Sequence, residues 1–204
     1  MDEARWERLL AGYGIGPDRA AFERLRDAHA EPHRTYHTGR HVERCLEHLD
    51  GYPGALEHRR DVEVALWFHD AVYRPLSRTN EADSAALATA FLGAHGVDPD
   101  AVARVRGLVL ATAHDVEPAS PEATVLVDVD LAILGADEAE YAGYESAVRR
   151  EYRLVPGPVY RRKRAAVLRG FLDRGFVYRD AHFRERLEDR AVRNLGRAIG
   201  NLVG

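Results

Sequence analysis

Apolar residues along this chain recur at steps of three and four, which places them on one face of successive α-helices. Runs with the period of two that marks a strand are nearly absent. The pattern predicts a helix over residues 2–13, stopped by Gly12, Gly14 and Gly16, and another over 17–30, where Pro17 suits a first turn. A break at Glu31-Pro32-His33-Arg34-Thr35 leads through Tyr36-His37-Thr38-Gly39-Arg40-His41 into a third. Its inner face is His41, Cys45 and Leu49, and it ends near Gly51. Residues 60–73 come next, with Val62, Leu66, His69 and Tyr73 on one stripe. Asn80 reads as an N-cap, with Asp83 where a capping box carries Glu or Gln, for a helix running to 95. Further helices are predicted over 98–114, 122–134, 137–152, 160–174 and 180–202. The expectation is an all-α fold of about eight to ten helices. No repeat, low-complexity tract or long linker divides residues 1–204, so a single domain is expected.

Polar residues that fall on the apolar stripes carry the chemistry. His69 is in phase with the core positions of its helix, and Asp70 is the next residue. An imidazole and a carboxyl driven into a core have to be neutralised, paired or bound to a cation, because isolated buried charge is very costly. His41 shares a face with Cys45, and Asp130 stands four after Leu126 and three before Ile133. Two imidazoles and two carboxylates on inward phases of separate helices suit one divalent cation. They leave coordination positions for water and substrate, as a catalytic set does. A lone core histidine is ordinarily a hydrogen-bonded packing residue; the joint pattern is what points to metal.

Composition narrows the classes. With 204 residues, 46% hydrophobic and 30% charged, the chain can bury a substantial core as a globular protein. A net charge of −4 argues against broad binding to nucleic acid or acidic membrane. One cysteine, Cys45, excludes an internal disulfide, fits a reducing cytoplasm and reads as a core residue. The first residues carry acids and no apolar run, unlike a signal peptide, and no apolar stretch approaches membrane-spanning length.

The order His41, His69-Asp70, Asp130 resembles the HD superfamily of metal-dependent phosphohydrolases. The likeness is closer to a bacterial branch of predicted HD phosphohydrolases. It runs through Glu31-Pro32-His33-Arg34-x-Tyr36-His37-Thr38-x-x-His41, Trp67-Phe68-His69-Asp70-Ala71-Val72-Tyr73 and Asn80-Glu81-x-x-Ser84. Asp128-x-Asp130-Leu131-Ala132-Ile133-Leu134-Gly135 and Glu151-Tyr152 before Val155-Pro156 complete it. The resemblance implies an HD-type bundle with a metal-binding core over about 30–135 and C-terminal helices over about 137–202. It implies His41, His69, Asp70 and Asp130 as ligands, Asp70 also accepting a proton. Asp128 would orient a ligand histidine, or exchange roles with Asp130 if the helix is rotated. Tyr36-His37-x-x-x-His41 is similar to cyclic-nucleotide phosphodiesterases, which makes His37 a candidate general acid; a capping or surface histidine is the alternative.

Other groups keep two readings. Asn80 and Glu81 serve as cap and first-turn acid, or Glu81 positions the attacking water. Related branches carry a glutamate soon after His-Asp, where this chain has Ala71-Val72-Tyr73. His114 would touch a substrate phosphate or a second metal, or simply favour a helix C-terminus. Arg34, Arg74, Arg150 and Arg164 suit phosphate clamps, whereas the run Arg161-Arg162-Lys163-Arg164 reads as a solvated face. The implied activity is hydrolysis of a nucleotide-like phosphate ester or anhydride with Mn, Fe, Co, Ni, Zn or Mg. The alternatives are a di-iron oxygenase, drawing on His114 with Asp128 or Glu81, and a non-catalytic nucleotide-binding module. The expected partner is a small phosphorylated substrate, with no membrane.

Overall fold

The computed structural model describes residues 1–114 and 117–204. Among them are ten α-helices, one 3₁₀ turn and no strand, as the periodicity predicts. The helices are α1 (Glu3–Ala11), α2 (Arg19–Ala28), α3 (Gly39–Asp50), α4 (Arg59–Phe68), α5 (Asn80–Ala94), α6 (Pro99–Ala111) and α7 (Pro121–Asp130). The 3₁₀ turn Leu131–Gly135 precedes α8 (Glu138–Glu151), α9 (Gly157–Asp173) and α10 (Ala181–Val203). Aspartates set many of the starts. Asp2, Asp18, Asp98, Asp137 and Asp180 accept the first free N–H groups of α1, α2, α6, α8 and α10. No described helix is long and apolar enough to cross a membrane. The chain forms two compact units, Met1–Val127 and Asp128–Gly204, and the division falls inside α7.

The first unit is organised on α4, which packs against α1, α3, α5 and α6. Its sequence explains this position. Val62, Val64, Ala65, Leu66, Trp67 and Phe68 are all buried, so the helix is apolar on nearly every side and has to be surrounded. Trp67 meets Trp6 at 5.3 Å and Phe22 at 6.3 Å between ring centroids, locking α1 and α2 onto it. The buried Asp61 at its start is held by the Tyr13 hydroxyl and by Arg104 at 2.6 Å.

The helix ends at Phe68, five residues before the expected end, because distant side chains take the backbone that would continue it. Arg34 donates to the Asp70 and Ala71 carbonyls at 2.6 and 3.2 Å. Ser84 Oγ accepts from the Val72 N–H at 3.0 Å and lies 3.3 Å from its carbonyl. Asn80 accepts from the Arg74 N–H and donates to its carbonyl, both at 3.0 Å. Asn80 is therefore not the cap of α5. That position is Thr79, whose hydroxyl donates to Asp83 at 3.0 Å. Helix α6 likewise stops at Ala111, where Thr112 Oγ1 bonds back to the Val109 carbonyl at 2.7 Å. His114 lies beyond it with φ +58°, a left-handed conformation that histidine tolerates better than most residues.

In the second unit α10 packs on α9 and on the 3₁₀ turn. The turn's carbonyls are met one by one: Leu131 by the Tyr178 hydroxyl at 3.1 Å, Leu134 by Asn194 at 2.9 Å and Gly135 by Arg190 at 2.7 Å. A Cβ on Gly135 would stand 2.6 Å from Leu187 Cβ and 2.8 Å from its carbonyl oxygen, so this approach requires glycine.

Candidate metal centre

Three elements of the first unit converge on one point. His41 is the third residue of α3, on its buried face with Cys45 and Leu49. His69 caps the C-terminal end of α4, and Asp70 opens the turn after it. His69 Nδ1 lies 2.9 Å from the Leu66 carbonyl. A carbonyl only accepts, so Nδ1 carries a proton, and Nε2 is the nitrogen that offers a lone pair whenever the ring is neutral. That Nε2 lies 3.1 Å from His41 Nε2 and 3.2 Å from Asp70 Oδ2; His41 Nε2 is 3.7 Å from the same oxygen. Two atoms bound to one ion at about 2.1 Å stand about 3.0–3.4 Å apart, from right-angle to tetrahedral geometry. Nitrogen lone pairs this close repel unless a proton or a cation lies between them, and the donor set fits a divalent transition metal.

Cys45 adds a donor that sequence reasoning placed only in the core. Its Sγ stands 3.8 Å from both ring nitrogens of His41, and His41, Cys45 and His69 each offer one ligand atom within 4.8 Å of the others. These residues form a buried group that can hold a metal ion. Equal distances to the two nitrogens make this a packing contact on one imidazole as well as a donor position.

Electrostatics keep the group ready for a cation. Burial opposes ionisation of Asp70, but the fields of His69, His37 and His41 and the His69 hydrogen bond hold its carboxyl well below the usual carboxylate range. Its side chain is 17% exposed, against 1% for His69, so the group opens to solvent on the carboxylate side. His37 stands outside α3, which begins at Gly39, so although it lies four residues before His41 the two do not share a helix face. The two rings are nonetheless 6.1 Å apart, and the His37 ring stacks on Tyr73 at 4.2 Å.

Several of the remaining expected residues are committed to other contacts. Arg34 is buried and engaged on every nitrogen: Nε bonds Glu31 at 2.9 Å, and the guanidinium also reaches the carbonyls of His37, Asp70 and Ala71. It braces the His37 loop to the His69-Asp70 turn, and with four of its five donors taken and its side chain fully buried it is no phosphate clamp. Arg74 pairs with Asp83 on the surface. Glu81 is half-buried in the first turn of α5, and no hydrogen bond joins it to His41, His69 or Asp70 among the described residues. Arg150, Arg164, Asp128 and Asp130 belong to the second unit. There Arg164 bonds Glu145 at 2.5 Å and the Tyr144 hydroxyl at 2.8 Å. Asp128 is buried and accepts N–H bonds from Arg179 at 2.9 Å and Asp180 at 2.7 Å, the entry to α10. Asp130 is half-buried at the end of α7.

Sequence reasoning also passed over His29. It caps α2, is buried, and approaches the Trp67 carbonyl at 3.4 Å with Nε2. Burial pushes its pKa down to about 4. Its phase, four after Leu25 and seven after Phe22, is the signal that could have found it.

No protein-family model, curated protein or solved structure matches the chain. The chemistry of the centre rests on its own geometry.

Proposed function

We propose that the protein is a metal-dependent hydrolase of phosphate esters or anhydrides, with a nucleotide-like substrate. The observation that carries this reading is the His41–His69–Asp70 triangle, with sides of 3.1, 3.2 and 3.7 Å and a solvent-facing carboxylate edge. A bound divalent ion would lower the pKa of a coordinated water and polarise a phosphoryl oxygen. His41 and His69 would hold it through ring nitrogens, and the Leu66 carbonyl keeps the His69 Nδ1 proton in place so that Nε2 is the one left for the metal. Asp70 stays ionised and supplies an acceptor for the proton of the attacking water. His37, set on Tyr73 beside the triad, is the candidate acid for the leaving oxygen. Asp130, four after the buried Leu126 on α7, is the carboxylate that the HD-type order of residues assigns to close the set. The engagement of Asp128 with the Arg179 and Asp180 N–H groups supports that choice.

The test is purified protein stripped of metal, reloaded with Mn, Fe, Co, Ni, Zn or Mg in turn, and screened against nucleotides and model phosphate esters. Metal-dependent phosphate release, lost in His69→Ala and Asp70→Ala, is the expected result. Dioxygen uptake with two irons per chain and no phosphate release would replace this reading with the oxygenase. Metal retention with tight nucleotide binding and no turnover on any ion would replace it with a binding module.

A further inference from the structure

Charge is divided unequally along the chain. Residues 128–204 hold 15 of the 29 Lys and Arg but 12 of the 33 acids, so the second unit is positive and the first strongly negative. The excess is concentrated in the α8–α9 hairpin. Residues 149–169 carry eight cations and one acid, Glu151, which is buried. Arg150, Arg153, Arg161, Arg162, Lys163 and Arg169 are exposed, and none has an ion-pair or side-chain hydrogen-bond partner among the described residues. A net charge taken over the whole chain hides this, which is why it argued against an anionic surface.

An apolar tip stands among these cations. Leu154 is 86% exposed, more than any other large hydrophobic side chain described, and Val159 is exposed beside the start of α9. The loop presenting Leu154 is built. Arg149 donates to the Tyr152 and Val155 carbonyls at 2.6 and 3.2 Å, and the Val155 N–H bonds Tyr152 at 2.9 Å. Pro156 and Pro158 stiffen the entry to α9. A leucine fixed outward in water forgoes the gain that burial would give it. A single-stranded nucleic acid would use the cations but would want exposed rings to stack on. The hairpin's aromatics do not offer them: Tyr152 is half-buried, and Tyr160 is buried beneath Arg149 at 4.6 Å. Phosphates at the surface and hydrocarbon just below it match both halves of the pattern.

We propose that the α8–α9 hairpin docks the protein on an anionic phospholipid surface, with Arg150, Arg153, Arg161 and Arg162 on the lipid phosphates and Leu154 seated among the acyl chains. The test is co-sedimentation of the full chain with vesicles of phosphatidylcholine alone and of phosphatidylcholine mixed with phosphatidylglycerol. The protein pellets with the mixed vesicles at low salt, is released by high salt and ignores the neutral ones. Arg153→Ala weakens binding about fivefold. Arg153→Glu with Arg162→Glu abolishes it, and Leu154→Ser leaves only a weaker binding that salt removes at lower concentration. All these positions are exposed, so circular dichroism and metal content stay unchanged. Absence of anionic-vesicle binding would overturn the proposal, as would a double reversal that still binds. Single-stranded RNA captured at a salt concentration where vesicles are not would overturn it in favour of nucleic acid.

Discussion

Asp70 in the first unit and Asp128 in the second are carboxyl groups taken out of bulk water in opposite ways. Asp70 keeps a solvent-facing edge, has three imidazoles around it, and is held well below the usual carboxylate range. Asp128 has no exposed surface and accepts two backbone N–H groups, yet burial pushes it up to about 6. At Asp128 the two N–H bonds do not outweigh the burial, whereas at Asp70 the positive field of the imidazoles does. The first arrangement awaits a cation, and the second fastens the start of a helix.

The largest effect separates them by metal. His69→Ala or Asp70→Ala removes one corner of the triangle and is expected to lower metal affinity more than about 100-fold, beyond the loss typical of residues behind the ligands. Asp128→Asn is expected to leave the metal content of purified protein unchanged. Equal metal content in all three would erase the distinction. Next comes His37→Ala. It leaves His41, His69 and Asp70 in place, so metal is retained while phosphate release falls about 100-fold or more. Turnover near the wild-type rate would reduce His37 to a ring packed on Tyr73.

Local forces are legible in a sequence, and distant ones are not. The run Val62 to Phe68 announces a surrounded helix by itself, and the phases of His41 and His69 place both on inward faces. The end of α4 was not legible, because Arg34, Ser84 and Asn80 take the backbone of residues 70–74 from elsewhere in the sequence. The same interactions hold Asp70 at the mouth of the centre rather than in a helix. His37 and His41 stand four apart, a spacing that suits one helix face but that a loop satisfies as well by folding back. Arg34 reads as a phosphate clamp in sequence because nothing in the local pattern records the carbonyls it meets.

A smaller effect sets the two units against each other in pH. Asp128 rises from 3.8 to about 6 on folding, so the folded state holds its proton more tightly than the unfolded chain. The stability it contributes is whole below pH 3.8 and lost as pH climbs through 6, at most about 3 kcal/mol. His29 falls from 6.5 to about 4, so its contribution is whole above pH 6.5 and lost as pH drops through 4, by a similar amount of about 3 kcal/mol. The two slopes oppose each other over one window and nearly cancel in the intact chain. Urea melts between these limits should expose them separately. Asp128→Asn leaves stability falling toward acid, and His29→Gln leaves it falling toward neutral pH. Parallel profiles in the two variants would show that neither group titrates with the fold.

The smallest expected effect tests whether the Asp70 side of the comparison depends on its brace. Arg34 is buried between Glu31 and three carbonyls, and two of those carbonyls belong to Asp70 and Ala71. A lysine carries the same charge but not the planar fork, so Arg34→Lys can satisfy only part of that set and leaves buried carbonyls unmet. The turn then holds Asp70 less firmly against His69, while neither ligand is removed. Metal affinity should drop about tenfold, the lower range for loss of a group that supports a ligand. The Asp128 limb of the pH profile should stay in place, because that carboxyl is fastened by residues of its own unit. A lysine variant that binds metal as tightly as the native protein would mean that the His69-Asp70 turn holds its shape through Ser84 and Asn80 alone.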